Sequence, residues 1–346
     1  RYLQLLELIP TKKTNPEIIR FLEEYSSKFL GKKPVLSKNT PAFIANRIGT
    51  YSIMDLFNNV HEFGLTVPEI DKLTGPIIGR AKSATFRTAD IVGLDTLAHV
   101  SNNIKETTND ESNSTFSIPD YLDWMIKNGW LGQKAKQGFF KKVIVDGKKK
   151  FLSLNFETLE YEEAPKPKFG IFEKIKEVEK VSGRLPVLMS DKGKVGDFYK
   201  ASFYSLFQFS SLRIPEISDD IYKIDDAMNA GFGWKLGPFE SWDALGVKET
   251  ISKMEEAGFK PSDWVYEMVS NGIDSFYKIS EGQKYCYDIS SKDYKLIPGQ
   301  DGKISLDVLR STSIVWENTD LTIFDLGDGI LNAEFHSKMN TIGAGT

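Results

Sequence analysis

Phe86-Arg-Thr-Ala-Asp90-Ile-Val-Gly93 and Phe239-Glu-Ser-Trp-Asp243-Ala-Leu-Gly246 are two versions of one octapeptide, with Phe, Asp and Gly in matching places, 239 − 86 = 153 residues apart. Further on, in the same order, Asp120-Tyr-Leu-Asp-Trp-Met125-Ile-Lys-Asn128-Gly129 corresponds to Asp263-Trp-Val-Tyr-Glu-Met268-Val-Ser-Asn271-Gly272, an offset of 268 − 125 = 143. Two matched segments separated by one loop of changed length point to a duplication, and such self-similarity sets the architecture before any single element is assigned. The expectation is two homologous helical domains, 38–142 and 169–300. A unit duplicated within one chain can pack on its copy through a pseudo-twofold version of the contact that two identical subunits would make.

The chain between and around the copies reads as follows. Gly138 to Leu154 alternates like a hairpin turning at Asp146-Gly147, and Glu160-Tyr-Glu-Glu-Ala-Pro-Lys-Pro-Lys168 is the best linker, so 143–168 is hairpin and linker. Thr40-Pro41 reads as the opening of a long helix with Ile44, Ile48, Tyr51, Met54 and Phe57 at three- and four-residue spacing. Ahead of it, Tyr2 to Ile9 reads as a buried strand. Asn15-Pro16-Glu17 is a helix start with Ile18, Leu22, Tyr25 and Phe29 on one face and Gly31 at its end, and Lys33-Pro-Val-Leu-Ser37 is a short strand. Residues 1–37 are thus strand, helix, strand, the tail of an α/β unit. Leu321 to Phe335 gives two alternating runs around Gly327-Asp328-Gly329, so 301–346 is a linker and the start of a further domain. Arg1 stands where Met would begin a chain, and the expectation is a piece cut from a longer protein at both ends.

Composition narrows the function classes. With 40% hydrophobic and 27% charged residues, 23 Phe and 13 Tyr, the 346-residue chain has ample core material for more than one domain. Net charge is −4 and no Lys/Arg block tracks a phosphate backbone, which argues against nucleic acid as partner. Cys286 is the only cysteine, so no intrachain disulfide and no cysteine metal site can form, in keeping with a reducing cytoplasm. It reads most simply as a small packed hydrophobe between Tyr285 and Tyr287. No apolar run reaches the ~20 residues of a membrane span.

Several stretches together resemble the 3-hydroxyacyl-CoA dehydrogenases, in particular the multifunctional β-oxidation proteins that carry a dehydrogenase and an enoyl-CoA hydratase on one chain. The carriers are Arg1-Tyr-Leu-Gln-Leu-Leu-Glu7-Leu-Ile-Pro, Asn39-Thr-Pro-Ala-Phe-Ile-Ala-Asn46-Arg47, Gly79 through Thr96, Asn128-Gly-Trp-Leu-Gly132 and Gln137-Gly-Phe139. In the second copy the carrier is Ile224 through Glu240. The resemblance covers residues 1–300; Phe335-His-Ser-Lys-Met-Asn340 is similar, over a shorter match, to the opening of a crotonase-fold hydratase. It implies a mainly α fold of two tandem domains like the C-terminal domain of 6-phosphogluconate dehydrogenase. A strand-helix-strand remnant of a Rossmann domain would precede them, and a β-hairpin beginning a crotonase-like domain would follow. It also implies NAD as the cofactor of the parent, acyl-CoA as its substrate and no metal.

By the same resemblance, the dehydrogenase uses a His as general base on the 3-hydroxyl, a Glu that orients that His and an Asn that helps hold the substrate. An imidazole paired with a carboxylate titrates near neutral pH, as removal of that proton requires. The family spacing puts the His twelve residues ahead of Glu7, before Arg1, so the fragment itself is expected to be inactive. Glu7 matches the orienting carboxylate, against the alternative of a strand Glu pointing to water. Asn46 matches the substrate Asn; helical geometry turns it roughly 200° from Ile44, off the apolar stripe, and its alternative is a solvated helix position. The second copy offers Lys200-Ala201 there and reads as non-catalytic. No Gly-x-Gly-x-x-Gly follows a strand, so the dinucleotide cradle is absent from the sequence. His61 and His99 have no partners at metal-ligand spacing, and Phe232, Trp234 and Phe239 read as core aromatics. The rival from another class is a non-enzymatic helical module for assembly, and a homo-oligomer is compatible with either reading.

Overall fold

Asn15 and Pro16 start the first helix as their chemistry requires: the Asn15 side chain accepts from the Glu17 backbone N–H at 2.9 Å and Pro16 occupies the first turn. This helix, α1 (Pro16–Lys28), joins β1 (Leu5–Leu8) to β2 (Lys33–Leu36), which pair in parallel with Glu7 opposite Val35. Parallel neighbours need such a crossover. In this computed structural model, residues 3–145, 147–163, 166–300, 304–310, 312–337 and 340–346 are described; Tyr2 and Asp146 lie outside them.

The first copy follows as α2 (Ala45–Asn59), α3 (Val67–Leu73), α4 (Phe86–Val92), α5 (Leu94–Thr107) and α6 (Asp120–Lys127). It closes with the antiparallel sheet β3 (Phe140–Val145), β4 (Lys148–Leu154) and β5 (Tyr161–Glu163). The second copy begins after a short α7 (Ile171–Lys174). It comprises α8 (Val181–Met189), α9 (Lys194–Leu212), α10 (Ile221–Phe232), α11 (Pro238–Leu245), α12 (Val247–Glu256) and α13 (Asp263–Ser270). Contacts divide the chain into two compact units, 1–274 and 275–346. The second unit holds β6 (Tyr277–Ser280), β7 (Gln283–Asp288) and β8 (Asp293–Leu296), a short α14 (Leu306–Leu309), and the sheet of β9 (Ile314–Glu317), β10 (Leu321–Asp325) and β11 (Leu331–Phe335). Helices dominate, and the chain is mainly α.

The structure departs from the sequence reading at four places. The long helix begins at Ala45 rather than at Thr40-Pro41, because Ala42 and Phe43 take left-handed backbone angles (φ 61° and 52°) that cannot continue into a helix. Tyr161–Glu163, within the expected linker, pairs with β4 instead. The strand at the start is shorter than read, with only Leu8 buried. The strands β6 to β8, expected to belong with 169–300, group with the second unit. The hairpin around Gly327-Asp328-Gly329 forms with β10 and β11 in register, and β9 adds a third strand.

The two copies meet along α2 and α9. The Tyr51 hydroxyl lies 2.9 Å from Ser205 Oγ, and the Tyr51 ring stacks on Phe209 with centroids 3.7 Å apart. The pair is separated by 205 − 51 = 154 residues, the spacing that relates Asp71 to Asp225 as well (225 − 71 = 154), so the contact joins equivalent points of the copies. Those two aspartates do the same job. Asp71 accepts from the backbone N–H groups of Thr85, Phe86 and Arg87 at 3.1, 2.7 and 3.0 Å, capping α4. Asp225 accepts from Phe239 and Glu240 at 3.0 and 2.9 Å, capping α11.

Beside the α2–α9 contact lies a charged network. Arg47 (0% exposed) bonds Asp110 and reaches Glu216 at 3.3 Å, while Arg213 (2% exposed) bonds Asp110 at 2.6 Å, Glu216 at 2.7 Å and also Glu111. Asp110 is shared by one arginine from each copy. Removing one partner of a buried ionic network strands the others, at a cost of ~3–5 kcal/mol. Asp110→Ala is therefore expected to lose ~3–5 kcal/mol in urea unfolding, and a loss under ~1 kcal/mol would show that the network is solvated.

Burial pushes the Asp71 carboxyl up to about 7, outweighing its three N–H donors. A carboxyl whose folded value stands above its unfolded 3.8 binds its proton more tightly in the folded chain. Its contribution is fully present below that unfolded value and is lost as pH rises through about 7. Unfolding free energy should thus decline from pH 4 to pH 7, and Asp71→Asn should flatten that slope; an unchanged slope in the variant would remove Asp71 as its source.

Candidate functional site

Glu7 sits in the middle of β1, where an acid among leucines needs a partner, and it finds one on the next helix. Its Oε1 accepts from the backbone N–H groups of Ile44 and Ala45 at 2.8 and 3.2 Å, at the start of α2. The free N–H groups and the positive end of the helix dipole favour a carboxylate there. The side chain is half-buried, and burial raises its carboxyl above the ordinary range although both N–H donors act the other way. One oxygen is fixed by the helix, and among the described residues Oε2 accepts no hydrogen bond.

Asn46 follows directly on the second of those donors. From Ile44 to Tyr51 it is the single exposed residue in an otherwise buried run. The structure thus brings Glu7 and Asn46 to one helix end, with the carboxylate held and the amide open to solvent. The second copy buttresses this end from below. A Cβ on Gly49 would stand 2.1 Å from Phe232 Cζ, so α10 packs directly on α2 one turn beyond Asn46. Gly231 approaches both Leu5 of β1 and Ala45. Lys33 pairs with Asp226 at 2.8 Å, and Lys38 donates to the Pro215 carbonyl at 2.6 Å, tying the strand pair to the second copy.

The remaining sequence candidates lie elsewhere. His61 is exposed and stands edge-on to Tyr121 and Phe156, with centroids 6.0 and 5.9 Å away, and His99 is exposed on α5. His336, in the second unit, lies 2.8 Å from Thr322 Oγ1. None of the three histidines bonds Glu7 among the described residues. Cys286 is buried (2% exposed). Phe239 and Trp234 are buried, whereas Phe232 is half-buried against α2; Arg80 stacks over the Trp234 ring at 3.8 Å. Among the described residues no group of three metal-ligating side chains gathers, and no helix is long and apolar enough to cross a membrane. The loop from β1 to α1, Ile9-Pro-Thr-Lys-Lys-Thr-Asn15, has no glycine to let backbone approach a pyrophosphate, so these residues do not fit a dinucleotide.

Sequence reasoning missed the helix-capping role of Glu7, the network of Arg47 and Arg213, and the carboxylates Asp71 and Asp90. An acid isolated in an apolar strand or at the buried face of a helix is the signal that could have found them. Glu7→Ala should leave two N–H groups at the α2 start without their acceptor and cost about 1–3 kcal/mol, while Glu7→Gln keeps one acceptor and costs less. Equal losses in chemical unfolding of the two variants would contradict the cap.

Three comparisons bear on this geometry. Residues 43–142 match the family described as 3-hydroxyacyl-CoA dehydrogenase, C-terminal domain. A Bacillus subtilis protein named "Probable 3-hydroxyacyl-CoA dehydrogenase" is 40% identical over 344 residues, 99% of this chain and 43% of the relative. A Deinococcus radiodurans protein of the same name is 45% identical over 142 residues, 41% of this chain and 40% of the relative. The chain spans less than half the length of these curated relatives. The crystal structure of 3-hydroxybutyryl-CoA dehydrogenase from Escherichia coli superposes with a TM-score of 0.51 at 14% identity, over 78% of this chain and 68% of that one, a likeness of fold. Residues 43–142 are thus similar to the 3-hydroxyacyl-CoA dehydrogenase C-terminal domain, and the likeness to proteins named as such dehydrogenases extends over nearly the whole chain.

Proposed function

We propose that this chain is part of a β-oxidation enzyme that oxidises 3-hydroxyacyl-CoA to 3-ketoacyl-CoA with NAD, and that Glu7 and Asn46 are its contribution to that site. The observation that carries the reading is the shared helix end. Glu7 Oε1 is pinned by two backbone N–H groups, which leaves Oε2 to accept from an imidazole N–H, while the exposed Asn46 amide stands one residue along to donate to a thioester or 3-oxygen. A carboxylate so held orients an imidazole and stabilises its charged form as it takes the hydroxyl proton. The imidazole and the dinucleotide site come from outside residues 1–346 in this proposal, so no step is assigned to them. The 346 residues alone are inactive, the second copy is a non-catalytic buttress, and the parent also carries an enoyl-CoA hydratase following residue 301. The parent is a cytoplasmic enzyme.

The rival reading, an assembly module without a substrate, differs in what Asn46 does. Acetoacetyl-pantetheine, the thioester end of the substrate without its nucleotide, is expected to bind the purified chain, and Asn46→Ala to weaken that binding about tenfold, the worth of one hydrogen bond. Absence of binding, or equal binding by the variant, would favour the module. NADH-linked turnover of acetoacetyl-CoA by the 346 residues alone would overturn the division of the site between this chain and residues outside it.

A further inference from the structure

The exposed face of the β3–β4 hairpin turns toward α4, and the space between them is a cleft of about 440 Å³. Alternation along the strands puts Phe140 and Lys142 on the same face as Phe151, which is paired with Lys142 in the register. Arg87 and Ile91, one helical turn apart on α4, form the opposite wall, and Lys136 closes one end. Two apolar groups here are open to solvent, Ile91 at 56% and Phe151 at 45% exposed. Arg87 lies 5.1 Å from the Phe151 ring centroid and 5.8 Å from that of Phe140.

Three cations line this cleft, Arg87, Lys136 and Lys142, against one carboxylate, Asp90, whose charge acts on Arg87. Asp90 lies on its floor, but Oδ1 accepts from the Phe139 N–H at 2.8 Å and Oδ2 from the Phe140 N–H at 2.9 Å, so both oxygens are used in holding the hairpin. Asp71, in the adjoining cleft of about 470 Å³, is likewise occupied at the start of α4. Among the described residues Arg87, Lys136 and Lys142 form no ion pair. Their neighbours Lys134 and Lys150 do, with Asp95 and Glu163, both at 2.6 Å. The second cleft shares Arg87 and Phe140 with the first and adds Lys72 and Lys82, which form no ion pair either. A slot that combines Phe140, Phe151 and Ile91 with Lys136 and Lys142 therefore runs on through Arg87 into one that adds Lys72 and Lys82.

We propose that this double cleft binds a nucleoside polyphosphate, with the base against Phe151 and Ile91 and the phosphates along Arg87, Lys142 and Lys82. An exposed aromatic face takes any base by stacking, and guanidinium and ammonium groups that form no ion pair and outnumber the carboxylates of the clefts take the phosphates. A concave volume of this size suits a small ligand better than a flat bilayer surface. The site is independent of the dehydrogenase reading.

Titrating the chain with a fluorescent N-methylanthraniloyl ADP is expected to give saturable binding that weakens with added salt. Lys142→Glu and Arg87→Glu should each reduce affinity about tenfold while melting temperature holds, and Phe151→Ser should weaken ADP but not inorganic pyrophosphate. Asn46→Ala should leave ADP affinity unchanged, which separates this site from the thioester site. No saturation at millimolar ADP, equal affinity for ADP and pyrophosphate, or binding to phosphatidylglycerol vesicles without ADP competition would each overturn the proposal.

Discussion

The fold depends on carboxylates that reach from one element to the backbone N–H groups opening another. Helix starts are normally satisfied by the residue just before them, and then the sequence shows where a helix begins. Here Glu7 on β1 serves α2, Asp71 on α3 serves α4, and Asp225 on α10 serves α11. Each bond fixes a helix end against the element before it, so packing geometry and helix start are set together. The approach tolerates backbone that a local cap would not: Phe43 and Ala84, just ahead of the first two of these helices, both adopt left-handed angles. Strain of that kind persists only where surrounding contacts over-determine it.

This explains which parts of the molecule were legible. The repeated octapeptide was, as sequence, and its Phe86 and Phe239 are both buried while Asp90 accepts from the N–H groups of Phe139 and Phe140. Asn15-Pro16 was, because its cap is local. The start of α2 was not: Thr40-Pro41 carries the signature of a helix opening, but the acceptor that sets the true start lies 37 residues earlier at Glu7. The strand Tyr161–Glu163 was hidden by its Pro- and charge-bearing surroundings, since pairing with β4 is a tertiary event. Asn46 was legible as a residue off the apolar stripe, and its exposure in a buried run agrees. Arg47, its neighbour, was not, because burial of an arginine depends on Asp110 and on the other copy.

The duplication also accounts for the asymmetry of the copies. At the contact of α2 with α9, positions 154 residues apart carry Tyr51 and Ser205, a large residue against a small one. The small Ser205 leaves room for the Tyr51 hydroxyl at 2.9 Å while its ring stacks on Phe209. Phe232 of the second copy fills the place that Gly49 of the first leaves open, directly beneath the helix end that holds Asn46. On the proposed function, the copy without the Asn would position the one that has it.

Glu7 combines two demands that pull its proton affinity in opposite directions. As a cap it is stabilised in its charged form by two N–H donors and the helix dipole; as a half-buried group on a strand it is penalised for that charge, and the penalty is the larger. A carboxylate balanced in this way gains most from a cation brought to its free oxygen, since the incoming charge relieves the cost of burial without displacing the cap. In the proposed function, an imidazole that becomes protonated as it takes the hydroxyl proton would be such a cation. On that proposal the side chain that caps the helix would also favour the charged imidazole at the moment of transfer. The two N–H donors at the start of α2 are what make an acid tolerable among the leucines of β1.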